Sequence, residues 1–243
     1  MRGRVAIAAL LVGSWSCQTY YVLPDAERTG PDAGSDASRA ASPCAAQPPN
    51  TVLCEDFDRG ELGASWTDST MLFGSLDTAE SRSPPRSLRV TTRPPPPREF
   101  SEYLARALGV DAAANVRIEL DLRVDRDSGG VFPVGLFCGT AGYAIGLMLG
   151  GALVEQGGGV TYTRHPVDLP FPPGQWRHLA LRVRRGDGTV ELDVDGAPVL
   201  GATRLAGAGL VAAGDCRLAI GVYFAPPGTD WDARLDDVVV TTF

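Results

Sequence analysis

The side chains best suited to chemistry include Glu119 and Asp121, which alternate with leucines in the run Glu-Leu-Asp-Leu. In an extended strand, residues two positions apart point to the same side, so both carboxylates are predicted to share one face. Two carboxylates on one face are candidates for general acid and base catalysis. All 22 basic residues are Arg, and the absence of Lys excludes catalysis through a lysine Schiff base. Two His leave little capacity for a metal centre built from histidines.

A second alternating run carries candidate ligand-binding side chains. An aromatic ring, an imidazole and two guanidinium groups share its face: Trp176, His178, Arg182 and Arg184. A ring beside cations can stack on a sugar and attract an anion. The other interpretation is that Trp176 anchors a hairpin as a core or rim residue. Further candidates for stacking are Tyr143, Tyr162, Tyr223, Phe224 and Trp231, although aromatic residues are only 7% of the chain and most are expected in the core.

Length and charge restrict the class of protein. With 243 residues, 44% of them hydrophobic, the chain has the composition of a soluble globular protein of one medium-sized domain or two small ones. The net charge is −7, from 29 acidic and 22 basic residues. Such a balance argues against a nucleic-acid partner and against binding to a membrane surface through basic residues.

The first seventeen residues have the layout of a secretory signal. Arg2 and Arg4 precede a short apolar run over 5–13, and small residues stand just before Cys17. The run is too short to span a bilayer. This arrangement resembles a bacterial lipoprotein signal, which implies a signal peptide over 1–16 and acylation of Cys17. Cleavage without lipidation is the alternative, since Ser14 and Trp15 depart from the usual pattern.

The residue after Cys17 bears on the destination of the chain. Gln18 replaces the Asp that would signal retention in the inner membrane. The resemblance therefore implies an outer-membrane or cell-surface lipoprotein, with a periplasmic or secreted protein as the alternative. Residues 17–50 are rich in Pro, Ala and Asp and have little apolar periodicity, so they are predicted to be a disordered tether.

From Thr51 onward the apolar residues recur with a period of two. In the run 117–125 every even position is apolar and every odd one is charged, which predicts a strand with one buried and one solvated face. The same alternation recurs over 178–184 and 190–194. Further strands are predicted over 52–58, 87–92, 100–107, 131–138, 143–149, 160–163, 217–224 and 235–242. Turn-forming residues separate about ten to thirteen such strands, and no run predicts an amphipathic helix. Residues 51–243 are therefore predicted to form one all-β domain, a two-sheet antiparallel β-sandwich.

Several segments of this domain, in order, resemble the concanavalin A-like lectin/glucanase superfamily and its laminin G-like members. They are Leu53–Asp58 followed by Trp66, Ser83–Leu88, Gly174–Leu179, Val190–Gly196 and Leu235–Val240. The resemblance implies a concanavalin A-like jelly-roll whose concave face often binds glycans, in some members with calcium, and in some branches cleaves them. Such a fold carries many functions, so the ligand has to be argued from the site.

The resemblance also implies a test of catalysis. The glucanases of the superfamily carry a Glu, Asp, Glu series on one strand face, and Glu119 and Asp121 are similar to its first two members. The expected acid/base position is Arg123, which cannot donate a proton near neutral pH. For calcium, the candidate ligands are Asp77, Asp125 and Asp127, but no EF-hand-like loop is present. We expect no obligatory cofactor, with calcium as the alternative.

The remaining four cysteines form an even set in a compartment that permits disulfides. Four cysteines allow three connectivities. We favour Cys44 with Cys54, which would attach the end of the tether to the first strand, and Cys138 with Cys216, which would tie two strands far apart in the chain. A cysteine metal site is the alternative, but no two cysteines have the required close spacing.

These observations favour a non-catalytic module on a tethered lipoprotein, either carbohydrate-binding or structural. The expected partners are a polysaccharide and, through the lipid, the outer membrane, and the expected state is a monomer. Two alternatives stay open: a diverged glycoside hydrolase or polysaccharide lyase, and an adhesion module for protein partners.

Overall fold

The computed structural model describes residue 44 and residues 49–71, 74–92, 95–111, 114–148, 151–158, 161–204 and 215–243. The predicted signal peptide, Cys17 and most of the predicted tether lie outside these residues. The first strand begins at Thr51, the position from which the sequence predicts strands. None of the residues described forms a helix long and apolar enough to cross a membrane.

Fifteen strands account for the described secondary structure, more than the alternation predicts. They are Thr51–Glu55 (β1), Asp68–Ser69 (β2), Gly74–Asp77 (β3), Ser87–Thr91 (β4), Phe100–Ala107 (β5), Val116–Asp127 (β6), Val131–Cys138 (β7), Ala141–Met148 (β8), Gly151–Gly158 (β9), Thr161–Val167 (β10), Trp176–Arg184 (β11), Thr189–Val194 (β12), Ala197–Arg204 (β13), Cys216–Ala225 (β14) and Trp231–Thr242 (β15). The strands missing from the sequence prediction are β2, β3, β9 and β13. β9 is glycine-rich and β13 is mostly exposed, so neither has a clear period of two.

The strands form two antiparallel sheets. Sheet A has the order β13-β12-β11-β6-β15-β4-β3, with β1 paired to β15, and sheet B has the order β10-β9-β8-β7-β14-β5-β2. Neighbours in a sheet are often distant in sequence: β14 lies between β7 and β5. This architecture confirms the predicted all-β class and the two-sheet jelly-roll sandwich.

The core lies between the sheets and is filled by the inward half of each strand. On β6, Ile118, Leu120 and Leu122 are completely buried, as the alternation predicts. Each such side chain contributes about 1.5–3 kcal/mol when it leaves water. Tyr143 and Trp231 are also completely buried. These two rings are therefore core residues and not the stacking residues that the sequence offered as candidates.

Strand β15 holds sheet A together. It pairs along one edge with β6, and along the other first with β4 and then with β1. The register with β6 shifts between Asp236 and Val239, and Asp237 has a left-handed backbone with φ of 51°. This bulge separates the part of β15 that pairs with β4 from the part that pairs with β1.

Both predicted disulfides are present. Cys138 and Cys216 lie directly opposite each other on β7 and β14, so their bond links neighbouring strands of sheet B. Cys44 is bonded to Cys54 of β1. The first bond ties two distant parts of the chain, and the second attaches the segment before the domain to its first strand.

The two disulfides should differ in their contribution to stability. Replacing Cys138 and Cys216 together by Ala should lower the free energy of unfolding by about 4 kcal/mol, because the bond closes a loop with a sequence separation of 78. The double replacement of Cys44 and Cys54, with a separation of 10, should cost about 3 kcal/mol. Urea unfolding followed by tryptophan fluorescence measures both. A larger loss in the Cys44 and Cys54 variant would contradict this ranking.

Candidate functional site

The outward face of sheet A brings together three of the side chains predicted from the sequence. In the register between β11 and β6, His178 lies opposite Asp121 and Ala180 opposite Glu119. The imidazole lies between the two carboxylates: Nε2 is 3.5 Å from Glu119 Oε1, and Nδ1 is 3.4 Å from Asp121 Oδ1. The sequence placed each carboxylate on an outward face, but the position of the histidine between them depends on strand pairing.

These contacts determine the protonation states of His178 and Glu119. The hydrogen bonds to Asp121 and then to Glu119 raise the pKa of His178 to about 9, so the imidazole is protonated near neutral pH. The hydrogen bond from His178, with the charge of Arg117, lowers the pKa of Glu119; Arg117 Nη2 lies 2.6 Å from its carboxylate. An ionised carboxylate with a lowered pKa cannot act as the proton donor that glycosidic cleavage needs.

The other predicted ligand-binding residues on this face also have partners. Arg182 Nη1 lies 2.7 Å from Asp193, and Arg184 Nη2 lies 2.9 Å from Glu191. Trp176 is partly buried, opposite Arg123 of β6. The four residues therefore share a face as predicted, but both guanidinium groups are paired with acids of β12.

Arg123, which stands at the expected acid/base position, also has carboxylate partners. Its guanidinium lies 2.5 Å from Glu80 and 2.9 Å from Asp125. An ion-paired guanidinium at this position has no proton to give to a leaving group.

The candidate calcium ligands are engaged by other groups. The guanidinium of Arg234 lies between Asp77, at 2.6 Å, and Asp125. Asp127 accepts a hydrogen bond from the backbone N–H of Gly129 at 2.6 Å. Within the ranges that the structure covers, no group of three or more His, Cys, Asp or Glu side chains is placed to hold a metal ion.

Two buried carboxylates at the β15 bulge were missed by sequence reasoning. Asp236 is completely buried and accepts hydrogen bonds from the backbone N–H groups of Arg82 at 2.8 Å and Ser83 at 3.0 Å. The Ser83 hydroxyl donates to Asp237 at 2.6 Å. Burial, followed by the charge of Asp237, raises the pKa of Asp236, and burial also raises the pKa of Asp237.

These hydrogen bonds fasten the loop at 82–83 to the bulge in β15. The available signal was the Asp-Asp step, which interrupts the apolar alternation near the end of the chain.

The outward face of sheet B is aromatic, in contrast to that of sheet A. Five of its rings come from β7, β10 and β14: Phe132, Phe137, Tyr162, Tyr223 and Phe224. The centroids of Phe137 and Tyr223 are 4.8 Å apart, and those of Phe132 and Phe224 are 6.1 Å apart in an edge-to-face arrangement. Tyr162 is the most exposed of the large hydrophobic residues described, at 54%. We call this group of five the aromatic face.

Small residues allow these rings to lie against the sheet. A Cβ atom at Gly135 would lie 2.8 Å from the ring of Phe137, and one at Gly146 would lie 2.8 Å from that of Phe132. Both distances are too short for real contacts, so only glycine leaves room for the rings in their present positions. Strand β8, between β7 and β9, presents Gly142, Ala144 and Gly146 on this side.

Two clefts open on the aromatic face. One, of about 190 Å³, is lined by Phe132, Glu155, Tyr162, Arg164, Tyr223 and Phe224. The other, of about 230 Å³, is lined by Glu99, Phe100, Ser101, Tyr223 and Phe224. Tyr223 and Phe224 are common to both, so the two clefts are adjacent. The Arg164 Nε–H donates to Glu155 at 2.7 Å and places a charged pair in the first cleft.

The sequence identified part of this site. Tyr162, Tyr223 and Phe224 were among the candidates for stacking, whereas Phe132, Phe137 and the pair Glu155 and Arg164 were missed. The glycines of β7, β8 and β9 were the signal that could have revealed a face with room for rings.

Comparison with known proteins agrees with this architecture. Residues 123–242 match the sequence model of a family described as the concanavalin A-like lectin/glucanases superfamily. This match lies within the sandwich domain and supports the resemblance predicted from the sequence. No curated protein matches the chain.

Solved structures share the fold at low sequence identity. "Cellulose induced protein, Cip1" is 14% identical with a TM-score of 0.59, over 78% of this chain and 96% of that one. Domain 4 of AbnA, a GH43 extracellular arabinanase from Geobacillus stearothermophilus solved with arabinotriose, is 13% identical with a TM-score of 0.55, over 79% and 92%. Family 7 alginate lyase A1-II′ is 14% identical with a TM-score of 0.54, over 75% and 87%. At these identities the likeness concerns the fold.

The protonated His178 should make stability depend on pH. Because its pKa is raised from 6.5 to about 9, its stabilisation is complete below pH 6.5 and is lost as the pH rises through 9. The melting temperature should therefore fall over this window in the wild type and fall less steeply in His178→Gln. Differential scanning calorimetry at successive pH values measures both slopes. Identical slopes over this window would show that the imidazole is not held by the two carboxylates.

Proposed function

We propose that this protein is a non-catalytic carbohydrate-binding module that holds a polysaccharide on the aromatic face of sheet B. The observation that carries the proposal is the arrangement of five rings over small residues, beside two adjacent clefts. Rings held against a sheet offer large apolar area with little loss of conformational freedom on binding. The C–H face of a sugar ring is a suitable partner for such a surface.

The polar groups of the face complement a sugar as well. Glu155 supplies hydrogen-bond acceptors and Arg164 supplies donors within one cleft. Ligand sites of this kind combine an aromatic lining with a few polar groups that orient the ligand. The arabinanase domain of the same fold, solved with arabinotriose, supports a carbohydrate ligand for the proposed site.

Electrostatics support a role without catalysis. On sheet A, Glu119 is ionised beside a protonated histidine, and Arg123 is committed to its own acids. On the aromatic face, Glu155 is paired with a guanidinium. Among the described lining residues each cleft has one carboxylate, Glu155 in the first and Glu99 in the second, whereas glycoside hydrolysis uses two.

We also propose that the module is displayed on a membrane through a lipid on Cys17. The signal-like residues 1–16 and the small residues before Cys17 support this address. Two disulfides are consistent with an exported chain, since such bonds persist in oxidising compartments. The proposed location is the outer membrane or cell surface, with residues 17–50 as the spacer between lipid and module.

Removing single rings should locate the binding surface. Tyr162→Ala and Tyr223→Ala should each weaken polysaccharide binding by about tenfold, equal to about 1.4 kcal/mol, because each ring supplies contact area to the ligand. Trp176→Ala, which removes a ring from sheet A, is the matched control and should bind like the wild type. Affinity electrophoresis in gels with different polysaccharides, on variants that melt like the wild type, measures the effect. Loss of binding in the control alone would move the site to sheet A.

The anchor can be tested by fractionation. Cys17→Ala should move the protein from the membrane fraction to the soluble fraction, since one signal-directed lipid is the proposed attachment. Cys44→Ala, which removes a thiol that the structure places in a disulfide, is the control and should remain with the membrane. Immunoblots of the separated fractions report the result. A soluble wild type, or a membrane-bound Cys17→Ala variant, would contradict the lipid anchor.

A further inference from the structure

We propose that the polysaccharide is uncharged, and that the pair Glu155 and Arg164 excludes polyuronates from the aromatic face. The inference rests on the proposed function and adds the substrate class. The evidence for this substrate class is the charge of the residues around the clefts and the distances within their ion pairs.

Two of the guanidinium groups described on the outward face of sheet B are paired with carboxylates. Arg164 Nε lies 2.7 Å from Glu155, and Arg217 Nη2 lies 2.5 Å from Asp68 of β2. Arg217 also lies over the ring of Tyr103, with its Cζ 5.8 Å from the centroid. The charges of these two pairs cancel locally, so neither leaves a net positive field for an anionic polymer.

The charged residues that line the two clefts also leave no excess of positive charge. The first has Glu155 and Arg164 as its charged lining, and the second has Glu99. Among the residues that the structure describes, the lining of the two clefts therefore carries a net charge of −1, from two acids and one base. A polymer with a carboxylate on each sugar would bring like charges close to Glu155 and Glu99, and such juxtapositions weaken binding strongly.

The ion pair suits neutral sugars for a second reason. The side chain of Glu155 is only 11% exposed, whereas that of Arg164 is 62% exposed. A uronate bound to Arg164 would have to share the guanidinium with a nearly buried carboxylate that already holds it. Two neighbouring sugar hydroxyls meet no such competition, because one can donate to the carboxylate while the other accepts from the guanidinium.

The experiment compares neutral and acidic polysaccharides on the full chain, with Cys17→Ser in every sample to keep it free of lipid. Arabinan, xyloglucan, laminarin and mannan serve as neutral probes, and alginate and polygalacturonate as acidic ones. Calorimetric titration at about 20 mM and about 300 mM NaCl separates electrostatic from uncharged binding. We expect at least one neutral polymer to bind with less than about twofold change between the two salt concentrations, and the polyuronates to bind at least about tenfold more weakly.

A charge variant tests the discriminating residue directly. Glu155→Gln releases Arg164 and should strengthen polyuronate binding by about tenfold at low salt, with the gain lost at high salt. Adding Arg164→Gln to this variant should abolish the gain. Glu191→Gln is the matched control: it releases Arg184 on sheet A and should leave both preferences unchanged. Thermal melts establish that each variant is folded.

The outcomes separate the two proposals. A wild type that binds polyuronates as tightly as neutral polymers, or more tightly, overturns the uncharged substrate class and leaves carbohydrate binding intact. Equal gains in Glu155→Gln and in the control overturn the role of Glu155. A wild type that binds none of the six polymers overturns the proposed function and this inference with it.

Discussion

Each long strand of the sandwich gives alternate side chains to a dry interior, and the rest of the structure depends on this burial. Ile118, Leu120 and Leu122 are completely removed from water on β6 alone, and the facing strands of sheet B do the same. Because apolar residues fill most inward positions, the strands present their polar and ring side chains on the two outward faces. Burial of this kind also tolerates few polar groups, and the buried Asp236 accordingly has its carboxylate satisfied by backbone N–H groups.

The two outward faces differ in their side chains: sheet A carries paired charges and sheet B carries aromatic rings. On sheet A, arginines and acids neutralise one another across strands, and His178 is protonated because two carboxylates hold it. Such a network covers the sheet and leaves little for a ligand to gain. On sheet B, glycines and alanines leave the backbone uncovered by larger side chains, and the aromatic rings pack directly against that backbone. The rings are packed before any ligand arrives, so binding there would cost little ordering entropy.

A disulfide bond and a β-bulge fix the strand order behind these two faces. The bond between Cys138 and Cys216 joins β7 and β14, which carry four of the five rings, and the bulge at Asp237 allows β15 to pair with β4 and β1 in turn. Both features lie in strands at the middle of their sheets. They maintain the order of strands on which the positions of Tyr223 and His178 depend.

By itself, the sequence determined the all-β class and the inward and outward positions of most strands, because alternation with a period of two is local. It indicated the superfamily by resemblance and favoured the two disulfide pairs that form, since four cysteines allow only three connectivities. It could not place His178 between Glu119 and Asp121, nor gather rings from β7, β10 and β14 on one face. Those neighbours are distant along the chain, and the packing of the whole core decides which strands lie side by side. The short β2, the glycine-rich β9 and the exposed β13 escaped prediction for the same reason, since only their partners define them as strands.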